Sequence, residues 1–347
     1  MEMTAITNEP AVTVAPTALR GPGRIIAVDI AKGLGIILVV FGHCWRGIYE
    51  AHVLTSAATF TAVDDWIYAF HMPLFFVLSG IFIERGVRRP FREILANKSA
   101  TIAYPYLIWT IIQGVIQGLT VRYTNNPHPI SDLPREIFIE PIFWFLYVLF
   151  FCEIIYSGLR KARVPILVIA GLTLVLYPFA YQLVWIPLMF MGLVAAYFAL
   201  GAQFSTTLAN FMARPQAGLS GLCFLVGATV LTSFMWLRPL TMFLQFIAAL
   251  FGILMILGLA NLLALAPGSK GLAFVGSMSL QVYLVHFIFV AGVRVVLTKV
   301  FHVYLLPVHL IGGLLVGLAA PICFTIFVSR KMGDVFFRAP WPMRRVH

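Results

Sequence analysis

The stretch Asp29-Ile-Ala-Lys32-Gly-Leu-Gly-Ile-Ile-Leu-Val-Val-Phe-Gly-His43 decides how this chain is read, because it sets ionisable groups in a run otherwise apolar enough to lie in lipid. Eleven steps of about 100° return to within about 20° of the start, so Lys32 and His43 project from one helix face, ~16 Å apart along its axis. Asp29 lies on the same stripe. Ionisable side chains at membrane depth are costly and by default mark a functional site that faces a cavity or partner helices. A second reading is local: Lys32 snorkels to the interface beside Asp29, and His43 lies near the opposite surface.

Composition sets the class. The chain has 61% hydrophobic and 11% charged residues, with 30 Phe among 347. An ordinary soluble domain carries about twice that charged share. The expected fold is an all-α polytopic membrane protein with about ten transmembrane helices. They are placed near 25–45, 64–83, 100–120, 140–157, 165–182, 184–200, 217–236, 241–264, 272–297 and 306–329. The fourth to sixth are short or interrupted by Pro165, Pro178 and Pro187.

Basic residues give the orientation. Arg20 and Arg24 precede the first span; Arg85, Arg88, Arg89, Arg92 and Lys98 lie between the second and third; Arg160, Lys161 and Arg163 follow the fourth. The alternate connections are poorer in Lys and Arg, so both termini are expected to be cytoplasmic. The net charge of +11 then reflects topology and attraction to anionic lipid, and no nucleic-acid partner is expected. Residues 1–22, rich in Ala, Thr and Pro, are expected to be a disordered cytoplasmic tail. Residues 23–330 form the membrane domain and 331–347 a basic cytoplasmic tail. The first 22 residues lack the pattern of a cleavable signal peptide, so the first span is expected to act as its own insertion signal. Cys44, Cys152, Cys223 and Cys323 fall within apolar spans without CxxC spacing, which suggests packing roles rather than a disulfide or a metal site.

Two further imidazoles lie in spans: His71 in Phe70-His-Met-Pro73-Leu-Phe-Phe-Val-Leu-Ser79-Gly80, and His286 in Ser279-Leu-Gln-Val-Tyr283-Leu-Val-His286. At ~1.5 Å per residue, His43, His71 and His286 all fall in the outer half of the bilayer. Imidazole titrates near neutral pH and takes a proton from a hydroxyl without a metal. A hydrogen-bonded core residue is the alternative for His71 and His286. The cations between the second and third spans read either as orientation determinants or as an electropositive mouth for a phosphorylated cytosolic ligand. Trp144 lies at an outer boundary, as an interfacial aromatic or a cavity wall.

These segments, in this order over residues 24–329, resemble the bacterial acyltransferase-3 family of membrane O-acyltransferases, particularly its fucose 4-O-acetylase-like branch. The resemblance rests on residues 29–43 and 70–80, on Pro105-Tyr106, on Trp144-Phe-Leu146 and on Ser279-Leu-x-x-Tyr283-Leu-x-His286. It implies a multi-pass enzyme of the bacterial cytoplasmic (inner) membrane. Such an enzyme moves an acyl group, usually acetyl, from a cytosolic acyl-CoA to a hydroxyl of an extracytoplasmic or lipid-linked glycan. The family pairs a basic residue, commonly Arg, with an essential His after ten intervening residues. Here the pair is Lys32 and His43, and Lys keeps the charge but not the bidentate fork. The Arg-x-x-Arg that many members carry before the third-span Pro-Tyr reads Lys98-Ser-Ala-Thr101.

Geometry and resemblance together suggest His43 as general base, with Lys32 and Asp29 on its helix. Acyl-CoA would be held at Arg85, Arg88, Arg89 or Lys98, and His71, Trp144 and His286 would shape the acceptor site, with no metal. A carrier or flippase for a sugar or small solute, using His and Lys as a proton relay, is the rival class. A scaffold that has lost catalysis is a third.

Overall fold

The structure, a computed structural model, describes residues 24–122, 129–237 and 240–340. The tail expected over 1–22 lies outside the described residues, as do residues 341–347 of the C-terminal one. No strand occurs among the described residues. The chain runs through α1 (Ile26–Glu50), α2 (Ala57–Tyr68), α3 (His71–Val87), α4 (Phe91–Lys98), α5 (Tyr104–Leu119), α6 (Leu133–Phe138), α7 (Trp144–Lys161) and α8 (Ile166–Leu176). It continues through α9 (Ile186–Gln203), α10 (Ser205–Ala213), α11 (Ala217–Trp236), α12 (Met242–Ala264), α13 (Ser269–Ser277), α14 (Ser279–Val295) and α15 (Leu306–Met332).

The protein is an all-α polytopic membrane protein. Eight helical stretches among the described residues are long and apolar enough to cross a bilayer: 26–50, 57–87, 91–119, 186–203, 217–236, 242–264, 279–300 and 306–332. Two of the ten expected spans differ from these. The fourth, α7, has 18 residues but carries Glu153, Arg160 and Lys161. The fifth is a shorter apolar stretch, Ile166–Gln182, whose last turns tighten to a 3-10 helix at Tyr177-Pro178.

Two spans bend where proline dictates. The second breaks between α2 and α3 at Ala69-Phe70, and Pro73 sits in the first turn of α3, where its missing N–H would have no partner in any case. In the third, the turn before Pro105 widens to a π-helix over Ser99–Ala103, which accommodates the imino ring. Beyond α15 the chain turns back: Trp109 Nε1 donates to Phe336 O at 2.9 Å and stacks on Phe337 at 5.6 Å.

The helices meet through small residues. In lipid there is no hydrophobic drive between helices, so close van der Waals approach carries the packing. A Cβ on Gly276 of α13 would run into the carbonyl of Asp29, and one on Gly33 of α1 would meet Leu272 O. Likewise a Cβ on Gly80 of α3 would strike Phe198 O, and one on Gly201 of α9 would strike Val77 O. Helix α1 packs on α2, α3, α10, α12, α13, α14 and α15, so it is enclosed by protein.

This packing makes a stability prediction. Gly80→Leu forces α3 from α9 and is expected to cost at least the ~1–3 kcal/mol typical of overpacking. Gly171→Ala, with nothing within 4 Å of its added carbon, is expected to leave stability within about 0.5 kcal/mol. Thermal unfolding of the purified protein in detergent checks both.

Candidate active site

The stripe of α1 begins with an ion pair. Asp29, in the first turn, is buried and accepts from Arg24 Nε, so its charge is matched by a residue before the helix and lies at the favourable end of the helix dipole. Asp29 lines neither cavity described below. One turn on, Lys32 lines a cavity of about 460 Å³ between α1, α3, α4, the π-helix at Ser99–Ala103, α7 and α14. Arg85, Arg89, Glu93, Lys98 and Glu153 line the same space, with Ser79, Asn97 and Thr101 as uncharged polar groups. Arg85 and Arg89 are exposed and form its mouth. The charges on its walls are four cations against two carboxylates. Arg88 is exposed and outside it.

The carboxylates of this region were not singled out in the sequence. Glu153 of α7 is buried and pairs with Lys98 Nζ at 2.5 Å. Glu84, next to Arg85, accepts from Arg160 Nε at 2.9 Å and from Tyr156 Oη at 2.6 Å, while Arg160 also donates to Val164 O at 3.0 Å. These bonds tie the ends of α3 and α4 to α7, and they hold the cationic mouth in place.

Farther along α1, His43 lines a second cavity, of about 250 Å³. His286, Gln113, Gln117, Glu136 and Glu140 share it. The imidazoles of His43 and His286 lie 5.1 Å apart between ring centres, and Phe287 stands edge-on to His43 at 5.7 Å. His286 Nδ1 is 2.8 Å from Tyr283 O and 3.0 Å from Val282 O, so the proton sits on Nδ1 and Nε2 is left as a bare acceptor. That Nε2 is buried without a partner. Gln113, 2% exposed, places an equally unpartnered Oε1 on the same wall. Buried polar atoms in this state are the atoms a bound polar molecule satisfies.

Glu136 lies between the expected third and fourth spans. Residues 133–138 form a helix, α6, sewn to α5 by Tyr106 Oη donating to Ile137 O at 2.5 Å. That fastening swings Glu136, 5% exposed, into the cavity. Exposed Glu140 sits at its rim.

His71 and Trp144 lie elsewhere. His71 is 2% exposed at the break between α2 and α3, where Nδ1 donates to Ile67 O at 2.8 Å and Tyr68 stands edge-on at 4.6 Å. Trp144 stacks on Phe190 at 4.5 Å in the core between α7 and α9. Neither lines either cavity. Of the residues singled out from sequence, Lys32, Arg85, Arg89 and Lys98 therefore converge on one space and His43 and His286 on another. Among the described residues, no group of three or more His, Cys, Asp or Glu is placed to hold a metal ion.

The bundle thus encloses a cationic cavity and a separate imidazole-lined one. The family model described as "Acyltransferase domain" (Acyl_transf_3) matches residues 25–327, and the chain belongs to that family. It is similar to the Nodulation protein NolL of Sinorhizobium fredii (strain NBRC 101917 / NGR234), at 26% identity over 211 residues, 58% of this chain and 56% of that protein. It is also similar to the Nodulation protein NolL of Mesorhizobium japonicum (strain LMG 29417 / CECT 9101 / MAFF 303099), at 28% over 129 residues, 37% of this chain and 34% of that protein. The match thus spans little more than half the length of the first relative and about a third of the second. No solved structure gives a significant match.

If the two cavities open on opposite faces, thiols placed in them label from opposite sides. In a cysteine-free background, Asn97→Cys is expected to react with a membrane-impermeant maleimide only from the cytoplasm, and Gln117→Cys only from outside. Labelling of inside-out against right-side-out vesicles checks this; reaction of both from one side would refute it.

Proposed function

We propose that this chain is an O-acyltransferase, in the first instance an O-acetyltransferase, of the bacterial cytoplasmic membrane. In this reading both termini are cytoplasmic. The donor is a cytosolic acyl-CoA and the acceptor a hydroxyl of an extracytoplasmic or lipid-linked glycan. The observation that carries the reading is the pairing of a cationic cavity with an imidazole-lined one along a single helix, in a chain of the acyltransferase domain family.

The inner cavity suits the donor. Lys32, Arg85, Arg89 and Lys98 supply charge-assisted hydrogen bonds of the kind that hold phosphates, against two carboxylates of which one is already matched by Lys98. The outer cavity suits a sugar: Gln113, Gln117 and Glu136 offer acceptors and donors to hydroxyls, and His43 stands among them. His43 takes the proton of the attacking hydroxyl as its oxygen bonds to the thioester carbonyl. When the C–S bond breaks, the same proton passes to the departing thiolate, so CoA leaves as a thiol and His43 is restored. His286, held by its Nδ1–H on two backbone carbonyls, keeps its ring fixed beside His43.

His43→Ala is expected to lower acetyl transfer by roughly 10²- to 10⁴-fold with unchanged insertion and abundance. Lys32→Met is expected to raise KM for acyl-CoA by roughly 10- to 100-fold, the loss of one charge-assisted bond, while Lys32→Arg stays near wild type. Release of CoA thiol by the purified protein, and O-acetyl content of surface glycans by NMR before and after mild alkali, measure these outcomes. Two cavities on one helix also suit a carrier, but a carrier releases no CoA thiol. Near-wild-type transfer by His43→Ala would remove that residue from the reaction.

A further inference from the structure

The two cavities have one wall residue in common. Tyr283 of α14 lines both the cavity that holds Lys32 and the one that holds His43. Tyr283 is 9% exposed, and its ring contacts two phenylalanines, with Phe145 edge-on at 5.5 Å and Phe143 edge-on at 5.7 Å. Phe145 belongs to the wall of the inner cavity and Phe143 to the wall of the outer one. The three rings therefore form a septum one aromatic layer thick at the point where the two spaces approach. Edge-to-face aromatic contacts make such a layer a stiff one.

We propose that Tyr283 is the specificity-determining residue of this enzyme: its ring, braced by Phe143 and Phe145, sets the size of acyl group that passes from the inner cavity to the acceptor, and it bars water from the thioester. This rests on the acyl-transfer reading above. The thioester carbonyl meets the hydroxyl held at His43 through the narrow gap that these rings leave, so they discriminate as an apolar slot does, by roughly 10- to 200-fold for each methylene refused. Shortening the side chain widens that gap. Longer acyl chains then pass, and water reaches the thioester carbonyl, cleaving the C–S bond to a free carboxylic acid and CoA thiol with no acceptor acylated.

The test compares acetyl-CoA with butyryl-CoA as donors for the full-length protein in proteoliposomes, measuring both acyl delivered and CoA thiol released. Wild type is expected to prefer acetyl. Tyr283→Ala is expected to lower that preference at least 10-fold and to raise thiol release without acceptor, while Tyr283→Phe, which keeps the ring, behaves as wild type. If Tyr283→Ala does not accumulate, Tyr283→Leu and Phe145→Ala carry the same test. An acetyl preference unchanged within twofold in every shortened variant that accumulates overturns the proposal. So does a loss of acetyl transfer in Tyr283→Phe, which would assign the role to the hydroxyl. Wild-type protein that consumes no acyl-CoA would instead refute the acyl-transfer reading itself.

Discussion

Everything at the candidate site depends on how tightly α1 is held. Gly33 and Gly276 let α1 and α13 approach until backbone meets backbone, with nothing larger than hydrogen tolerated at Gly276 above the Asp29 carbonyl. At the other end Arg46 binds Asp64 of α2 through two bonds, of 2.7 and 2.8 Å, and lies 3.4 Å over the Tyr68 ring. Fixed at both ends, α1 keeps its rotation, and rotation decides whether Lys32 and His43 face the two cavities or the packed surfaces of neighbouring helices. A turn of one residue, about 100°, would press both polar side chains into close-packed apolar contacts at a cost of several kcal/mol.

The remaining polar groups obey the same constraint. Glu153 is matched by Lys98, and Glu84 by Arg160 and Tyr156. Buried Glu153 without its partner would be a charge in a low-dielectric setting, the costly state of a broken ion pair. Atoms without a protein partner, such as His286 Nε2 and Gln113 Oε1, include several that face the outer cavity, where a polar occupant has room to meet them. Rigid pairs at the inner mouth and free valences in the outer space thus divide the membrane interior into a structural and a receptive part.

Much of this arrangement was legible in the chain. The period of α1 puts Lys32 and His43 on one face, and the cations from Arg85 to Lys98 cluster because α3 and α4 are joined by a short turn, Arg88–Pro90. What escaped was convergence across distant segments. Glu136 reads as part of a polar loop until Tyr106 fastens α6 against α5. Gln113 reads as an ordinary polar residue of the third span until α14 brings His286 opposite. His71 and Trp144 lie away from both cavities, and an imidazole satisfied by the carbonyl of the preceding helix and an indole stacked on Phe190 give the same one-dimensional signal as cavity residues. The ten expected spans and the eight long apolar stretches among the described residues differ at Ile166–Gln182, which is short, and at α7, which carries three charges.

The aromatic layer at Tyr283 also has an electrical side. If the two cavities open on opposite faces, the insulating part of the bilayer thins to the rings between them, and the transmembrane voltage drops mostly there. A charge driven across that layer does work of about 2.3 kcal/mol per 100 mV, whereas a neutral acetyl does none. A reaction routed this way neither draws on the energised membrane nor short-circuits it.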